Sequence, residues 1–331
     1  MKFRVLAAGA VAALLALTAS PAAVPVAAAA SQGMPAQIDG RTADRYPEGI
    51  AWDPTRQAFL IGSLATGRIS VVGRDGVPHP FGVAPGVSTF GLHVDAVRNR
   101  VLVTYADIGN GERTSDATLY KQSGVAIYNL RTGRLERRVD LNTPQLNPAG
   151  GRHGVNDLAI DAVGNAYVTD PAGDAIYRIT PHGAASVLVR DERLRSDTIG
   201  ANGIVWHPGG YLLVVRYDVG TLFRISLRGE LSTTGLTSAL VGGDGLALAR
   251  DGRLIAITNK LGAAGVERAT VLSSRDNYRT AQVRSVEPWP VSGPTTAAIT
   301  PFGTYVLSGR IDVLIAGGWS DQFTIRRMAA Y

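Results

Sequence analysis

Along this chain a turn-like lead repeatedly runs into a short, alternating apolar segment. Gly200-Ala201-Asn202-Gly203-Ile204-Val205-Trp206-His207-Pro208 is the fullest version, and Tyr46 to Pro54, Gly154 to Asp161 and Gly242 to Leu248 repeat it. Alternation with period two is the mark of a half-buried strand, not of a helix. The runs start near Gly49, Gly91, Asp157, Gly203, Gly245 and Ala297, at spacings of 42, 66, 46, 42 and 52 residues. A four-stranded propeller blade takes about 40–50 residues. Six such units predict an all-β chain closed as a six-bladed β-propeller. A β-sandwich is the alternative, but it has no reason to repeat in register.

The strands inside each unit follow from turn residues. In the fourth unit they are Gly203 to His207, Tyr211 to Tyr217 after Pro208-Gly209-Gly210, and Leu222 to Leu227 after Val219-Gly220. The long second interval holds two polar, Gly/Pro-rich insertions, Gly109 to Gly124 and Leu141 to Gly154, which read as surface loops. The last unit reads as Ala297–Thr300, Thr304–Leu307, Val313–Ala316 and Gln322–Arg326. Either these four strands complete it, or residues before Tyr46 supply one. The expected organisation is a leader over 1–30, a lead-in over 31–45 and the propeller over 46–331.

The leader has its own signature. Lys2 and Arg4 precede an apolar run from Val5 to Leu17, and Ala28-Ala29-Ala30 offers a small-residue cleavage site before Ser31. This is a secretory signal, and the run is shorter than the roughly 20 residues of a membrane span. The expected location is secreted, periplasmic or extracellular, with no membrane association after cleavage. The chain contains no Cys, which excludes disulfides, thiolate catalysis and Cys-based zinc sites. Its net charge of +6 is spread over scattered Arg residues. No basic stripe interleaves with aromatics, so nucleic acid is not an expected partner.

The residue just before each apolar run is Glu48, Phe90, Asn156, Asn202, Asp244 and Thr296. In a propeller these positions are related by rotation and converge at one mouth of the central channel. Glu48, Asn156, Asn202 and Asp244 then form a hard-oxygen set. Two carboxylates balance a divalent ion, and two carboxamides add oxygens without repulsion. That suits Ca2+, which accepts six to eight oxygens in irregular geometry; with no His or Cys in the ring, zinc is not expected. Asn-Gly and Asp-Gly are also common hairpin turns, but Glu48 and Asn156 have no such explanation.

With these residues in hand, the chain resembles the gluconolactonase and senescence-marker-protein (regucalcin) family of calcium-dependent propellers. It is most similar to the branch described as calcium-dependent phosphotriesterase-like. The resemblance runs from about Tyr46 to the C-terminus. It is carried by Pro47-Glu48-Gly49, Asn156-Asp157, Asn202-Gly203 and Asp244-Gly245, and by stretches such as Phe59 to Leu64, Gly164 to Thr169 and Tyr211 to Val215. It implies that Glu48, Asn156, Asn202 and Asp244 bind the catalytic divalent ion and that Asp244 is the base or nucleophile. It further implies hydrolysis of a small-molecule ester, a lactone or phosphotriester, by a monomer. A secreted propeller that only binds a ligand or protein partner, with a structural metal, is the alternative. Sugar-lactone members carry Arg two residues before the first Asn ligand, where this chain has Gly154. His93 and His207 read as structural, while His153 sits in a Gly-rich loop close to Asn156. By register Ser63, Tyr105, Asp170, Arg216 and Asn259 are further candidates for the pocket wall.

Overall fold

The computed structural model describes Met1 and residues 33–330, and the chain from Met34 onward is one compact unit. The expected leader therefore lies outside the described residues, save Met1. Six antiparallel sheets surround one axis. Blade one comprises Ile50–Asp53, Ala58–Ile61, Ser70–Val72 and Pro78–Pro80. Blade two comprises Thr89–Asp95, Arg100–Ala106, Ser123–Asn129 and Leu135–Asp140. Blade three comprises Leu158–Ile160, Ala166–Thr169, Ala175–Ile179 and Ala185–Arg190. Blade four comprises Ala201–His207, Tyr211–Arg216, Leu222–Ser226 and Leu231–Thr233. Blade five comprises Gly243–Leu248, Leu254–Thr258, Arg268–Ser273 and Thr280–Pro288, with Gly235–Leu236 added in parallel at its outer edge. The first strand of each blade touches its counterpart in the next, and the sixth touches the first. The propeller predicted from the repeats is the fold observed.

Blade six differs from the expectation. It consists of Pro294–Thr300, Gly303–Ser308, Gln322–Arg327 and the N-terminal segment Gln37–Arg41. Part of the expected lead-in is thus the outermost strand of the last blade, and the propeller begins before Tyr46. The run Val313–Ala316, read as a strand, belongs to a helix over Ile311–Ile315. A short apolar run does not distinguish the two by itself. Ile311 and Leu314 are three apart and both turn toward the cluster of Tyr46, Leu64 and Phe90, the spacing of one helical face. Among the described residues no helix is long and apolar enough to cross a membrane.

The core is a set of layers between blades. Leu102, Val125 and Ile127 of blade two meet Leu158, Val168 and Tyr177 of blade three. Similar clusters fill each of the other five junctions. Middle strands are covered on both faces, so Tyr211–Arg216 is apolar throughout but for its last residue. Outer strands such as Thr280–Pro288 are mostly exposed and weakly patterned.

Candidate metal centre and its cavity

Four of the six innermost strands carry a β-bulge at their head. Phe90-Gly91, Asn202-Gly203, Asp244-Gly245 and Thr295-Thr296 are each an extra pair set against a single residue of the neighbouring strand. A bulge kinks its strand and re-aims a side chain, here toward the channel. In blades one and three the strand starts just after the corresponding pair, Glu48-Gly49 and Asn156-Asp157. The residue following the re-aimed one packs against the next blade. A Cβ on Gly203 would collide with the Asp244 carbonyl, and one on Gly245 with Thr296. Blade three replaces this glycine by Asp157, whose carboxylate instead accepts the Ile204 N–H of blade four at 3.2 Å. Thr295 Oγ1 donates to the Glu48 carbonyl at 2.6 Å and ties blade six to blade one.

Glu48, Asn156, Asn202 and Asp244 come together on the wall of one cavity of about 770 Å³. Asn156 Nδ2 donates to Glu48 Oε1 at 3.5 Å. Asp244 Oδ2 accepts from Asn259 Nδ2 at 2.6 Å, and Asn259 is held in turn by Pro294 O and by the Tyr217 hydroxyl. Asn202 also hydrogen-bonds Asp244 through its side chain. Two buried acceptors are left without any partner, Glu48 Oε2 and Asn202 Oδ1. An unsatisfied buried acceptor costs about 1–3 kcal/mol. Two of them beside a second carboxylate match the oxygen donors that a hard cation takes, so the residues fit a divalent ion. Among the described residues no three His, Cys, Asp or Glu side chains converge as a ligand cluster, so the carboxamides are essential to that fit.

The site is rich in buried carboxyl groups. Burial, followed by the Asp244 and Asp157 charges, raises the Glu48 carboxyl well above its usual range. Burial pushes Asp244 up to about 7 against the Asn259 and Asn202 hydrogen bonds, and pushes Asp157 to about 7 against two backbone donors. Asp157 escaped the sequence reading as a site residue. Its signal was the substitution of Asp where Gly49, Gly91, Gly203 and Gly245 stand in other units.

These shifts fix a pH dependence for metal-free protein. Unfolded carboxyls lose their protons near pH 4, whereas these folded ones keep them until about 7. Between those values the native state binds more protons, so stability falls as pH rises. Chelator-treated protein should melt at a lower temperature at pH 8 than at pH 5, and added calcium should raise the melting temperature more at pH 8. Differential scanning calorimetry across that range checks this; a calcium effect independent of pH would contradict it.

None of the other expected wall residues lines the cavity, and in three of the five cases the next residue does. Ser63, Tyr105, Asp170, Arg216 and Asn259 do not line the cavity, whereas Leu64, Pro171 and Tyr217 do. Successive strand residues point to opposite faces, so a one-residue slip exchanges wall for backing. Asn259 backs Asp244, Asp170 backs His153, and Arg216 pairs with Asp218 at 2.7 Å. The two insertions form much of the wall, through Asn110, Tyr120 and Ala149 to Gly154, with Ile108 just before the first. They are thus more than surface loops. The helix over 311–315 adds Ile311 and Ile315. His207 stacks on Tyr211 at 4.5 Å, and His93 lines a second cavity of about 530 Å³ formed by the innermost strands.

No family model matches this chain. It is 25% identical over 326 residues to the major allergen Mal f 1 of Malassezia furfur, covering 87% of this chain and 90% of that protein. Its structure resembles the major Malassezia sympodialis allergen Mala s 1, with a TM-score of 0.69 and 20% identity over 89% of this chain and 96% of that one. It also resembles a Xanthomonas campestris gluconolactonase, with a TM-score of 0.58 and 16% identity over 85% of each chain. A luciferin-regenerating enzyme matches at a TM-score of 0.58 and 12% identity, over 89% of this chain and 98% of the other. The structural neighbours thus include gluconolactonase-type propellers, the group that the motifs resemble, and at these identities the likeness is one of fold.

Proposed function

We propose that this protein is a secreted, metal-dependent hydrolase of ester bonds, acting on a lactone or phosphotriester as a monomer. Ca2+ would be held by Glu48, Asn156, Asn202 and Asp244. The observation that carries the reading is the pair of unpartnered buried oxygens, Glu48 Oε2 and Asn202 Oδ1, on the wall of the cavity that also holds Asp244. When bound, such an ion supplies Lewis-acid polarisation of a carbonyl or phosphoryl oxygen. The chain's own groups do the rest. Asn259 fixes one oxygen of Asp244 and so orients the carboxylate on which both binding and turnover depend. Leu64, Phe90, Ile108, Leu261 and Ile311 give the cavity apolar walls that exclude water from a bound ester. Gly154 occurs where sugar-lactone enzymes carry Arg, which favours a compact, weakly hydroxylated substrate. Export is inferred from the leader sequence.

The test is calcium titration together with turnover of δ-valerolactone and diethyl 4-nitrophenyl phosphate, with and without chelator. Hydrolysis abolished by chelator and restored by calcium supports the reading. Asn202→Ala removes one oxygen and should weaken calcium binding about tenfold or more, roughly 1.4 kcal/mol per decade. The second reading, a binding propeller with a structural metal, draws support from the allergens among the similar proteins. Calcium binding without turnover of either substrate class would favour it.

A further inference from the structure

The second cavity, of about 530 Å³, is lined by the innermost strands of all six blades toward their far ends. Glu48, Asn156, Asn202 and Asp244 stand at the heads of such strands and line the other cavity. Each blade gives the second cavity one half-buried apolar residue: Trp52, Val94, Ile160, Trp206, Leu248 and Ile299. Each of the six packs against a different junction between blades and keeps part of its surface free. A ring of apolar surface around open space favours an apolar occupant over water.

The mouth of this cavity lies at the turns between first and second strands, and the carboxylates there are already engaged. Asp53 meets Arg56 at 2.6 Å, Asp95 meets Arg98 and Arg100 at 3.2 and 2.9 Å, and Asp251 meets Arg253 at 2.6 Å. Asp161 accepts from Asn165 Nδ2 and the Tyr167 hydroxyl at 2.7 and 2.9 Å. Arg250 lines the cavity and is exposed, and among the described residues its side chain has no hydrogen-bond or ion-pair partner. Its turn is braced: the Gly252 N–H donates to Ala249 O at 2.9 Å, and Gly252 O accepts the Tyr278 hydroxyl at 2.8 Å. An unpaired guanidinium beside an apolar ring is a fork for a carboxylate. Asp157 also lines this cavity, beside the ion site, and a like charge disfavours an anion at that end.

We propose that the far end of the channel is a second ligand site, separate from the ion cavity, for a small carboxylate with an apolar body, aromatic or alkyl. The ring of six holds the body, and Arg250 pairs with the carboxylate at the mouth. No residue of the ring or the mouth belongs to the ion's ligand set, so this site stands apart from the hydrolytic reading.

Calorimetric titration of the chain after leader removal with 4-phenylbutyrate and with octanoate tests this, alongside tryptophan fluorescence. Both acids should bind with the same affinity in calcium and in chelator, and both should shift the emission. Arg250→Gln removes a charge from an exposed position and so should keep the melting temperature. It should weaken both acids about tenfold or more and leave the uncharged 4-phenylbutyramide at its wild-type affinity. In a folded Trp52→Phe, Trp206→Phe double variant the emission shift should vanish although Trp289 and Trp319 remain. Failure of both acids to bind, wild-type affinity in Arg250→Gln, an affinity that depends on calcium, or an emission shift that survives the loss of both tryptophans would each overturn the proposal.

Discussion

Replacing Asp244 with Asn should weaken calcium binding by about tenfold or more and reduce ester hydrolysis by about two to four orders of magnitude. The substitution keeps the shape of the side chain and removes one charge. Asn259 Nδ2 donates to Asp244 Oδ2 at 2.6 Å, and an Asn there offers a single oxygen in place of two. Without a cation, however, the change should help the fold. Burial first, then the Asp244 and Asp157 charges, raise the proton affinity of Glu48, and Asp157 adds to the burial that raises Asp244; like charges in a poorly solvated site disfavour ionisation. Chelated Asp244→Asn protein should therefore melt above chelated wild type at pH 8, while the gain that wild type shows on adding calcium is lost. Calorimetric titration and thermal scans read both effects. Equal calcium affinity in the two proteins would reduce the four residues to a set of turns. A chelated variant less stable than chelated wild type would contradict the picture of a charge-loaded site awaiting a cation.

Deleting residues 34–41 should open the propeller and lower its melting temperature sharply. Gln37–Arg41 pairs with Gln322–Arg327 at five consecutive positions, from Gln37↔Arg326 to Arg41↔Gln322. Ile38 and Met34 are buried in the junction of blades six and one with Phe59, Tyr305 and Phe323. Burying two such side chains contributes about 1.5–3 kcal/mol each, before the strand's hydrogen bonds are counted. The Gly40 backbone lies flat on Phe323, where any Cβ would strike the ring, so removal also bares an aromatic. A loss of roughly 5 kcal/mol at about 2–4 °C per kcal/mol gives a fall on the order of 10 °C or more. Gly40→Leu should act in the same direction through steric clash alone. Thermal unfolding of the truncated chain checks this, and an unchanged transition would show that blade six closes without its fourth strand.

Both effects bear on how much the amino-acid sequence determines. Middle strands such as Tyr211–Arg216 are apolar because neighbouring blades cover both faces, and that burial is written directly as composition. The innermost strands repeat because rotation about an axis gives each the same surroundings. Blade number, blade order and the convergence of Glu48, Asn156, Asn202 and Asp244 on one cavity were therefore legible from register. Residues whose role depends on what packs behind them were less so. Asn259 and Asp170, expected on the wall, lie one layer back behind Asp244 and His153, because where a strand ends its last side chains can face either layer without a change in composition. Asp157 reads as a strand start until blade four is seen against it.

The sequence by itself determined the all-β repeat, the oxygen-bearing positions and the absence of thiol chemistry, since each follows from residue type and spacing along the chain. Only the tertiary structure decided how the ring closes, because the pairing of Gln37–Arg41 with Gln322–Arg327 joins segments about 280 residues apart with no local signal for the match. It also decided that Val313 belongs to a helix, through the apolar cluster that Ile311 joins. And it decided which edge of His153 is held, through an Asp170 seventeen residues away that meets Nδ1 while accepting the Gly154 and Ala172 N–H groups.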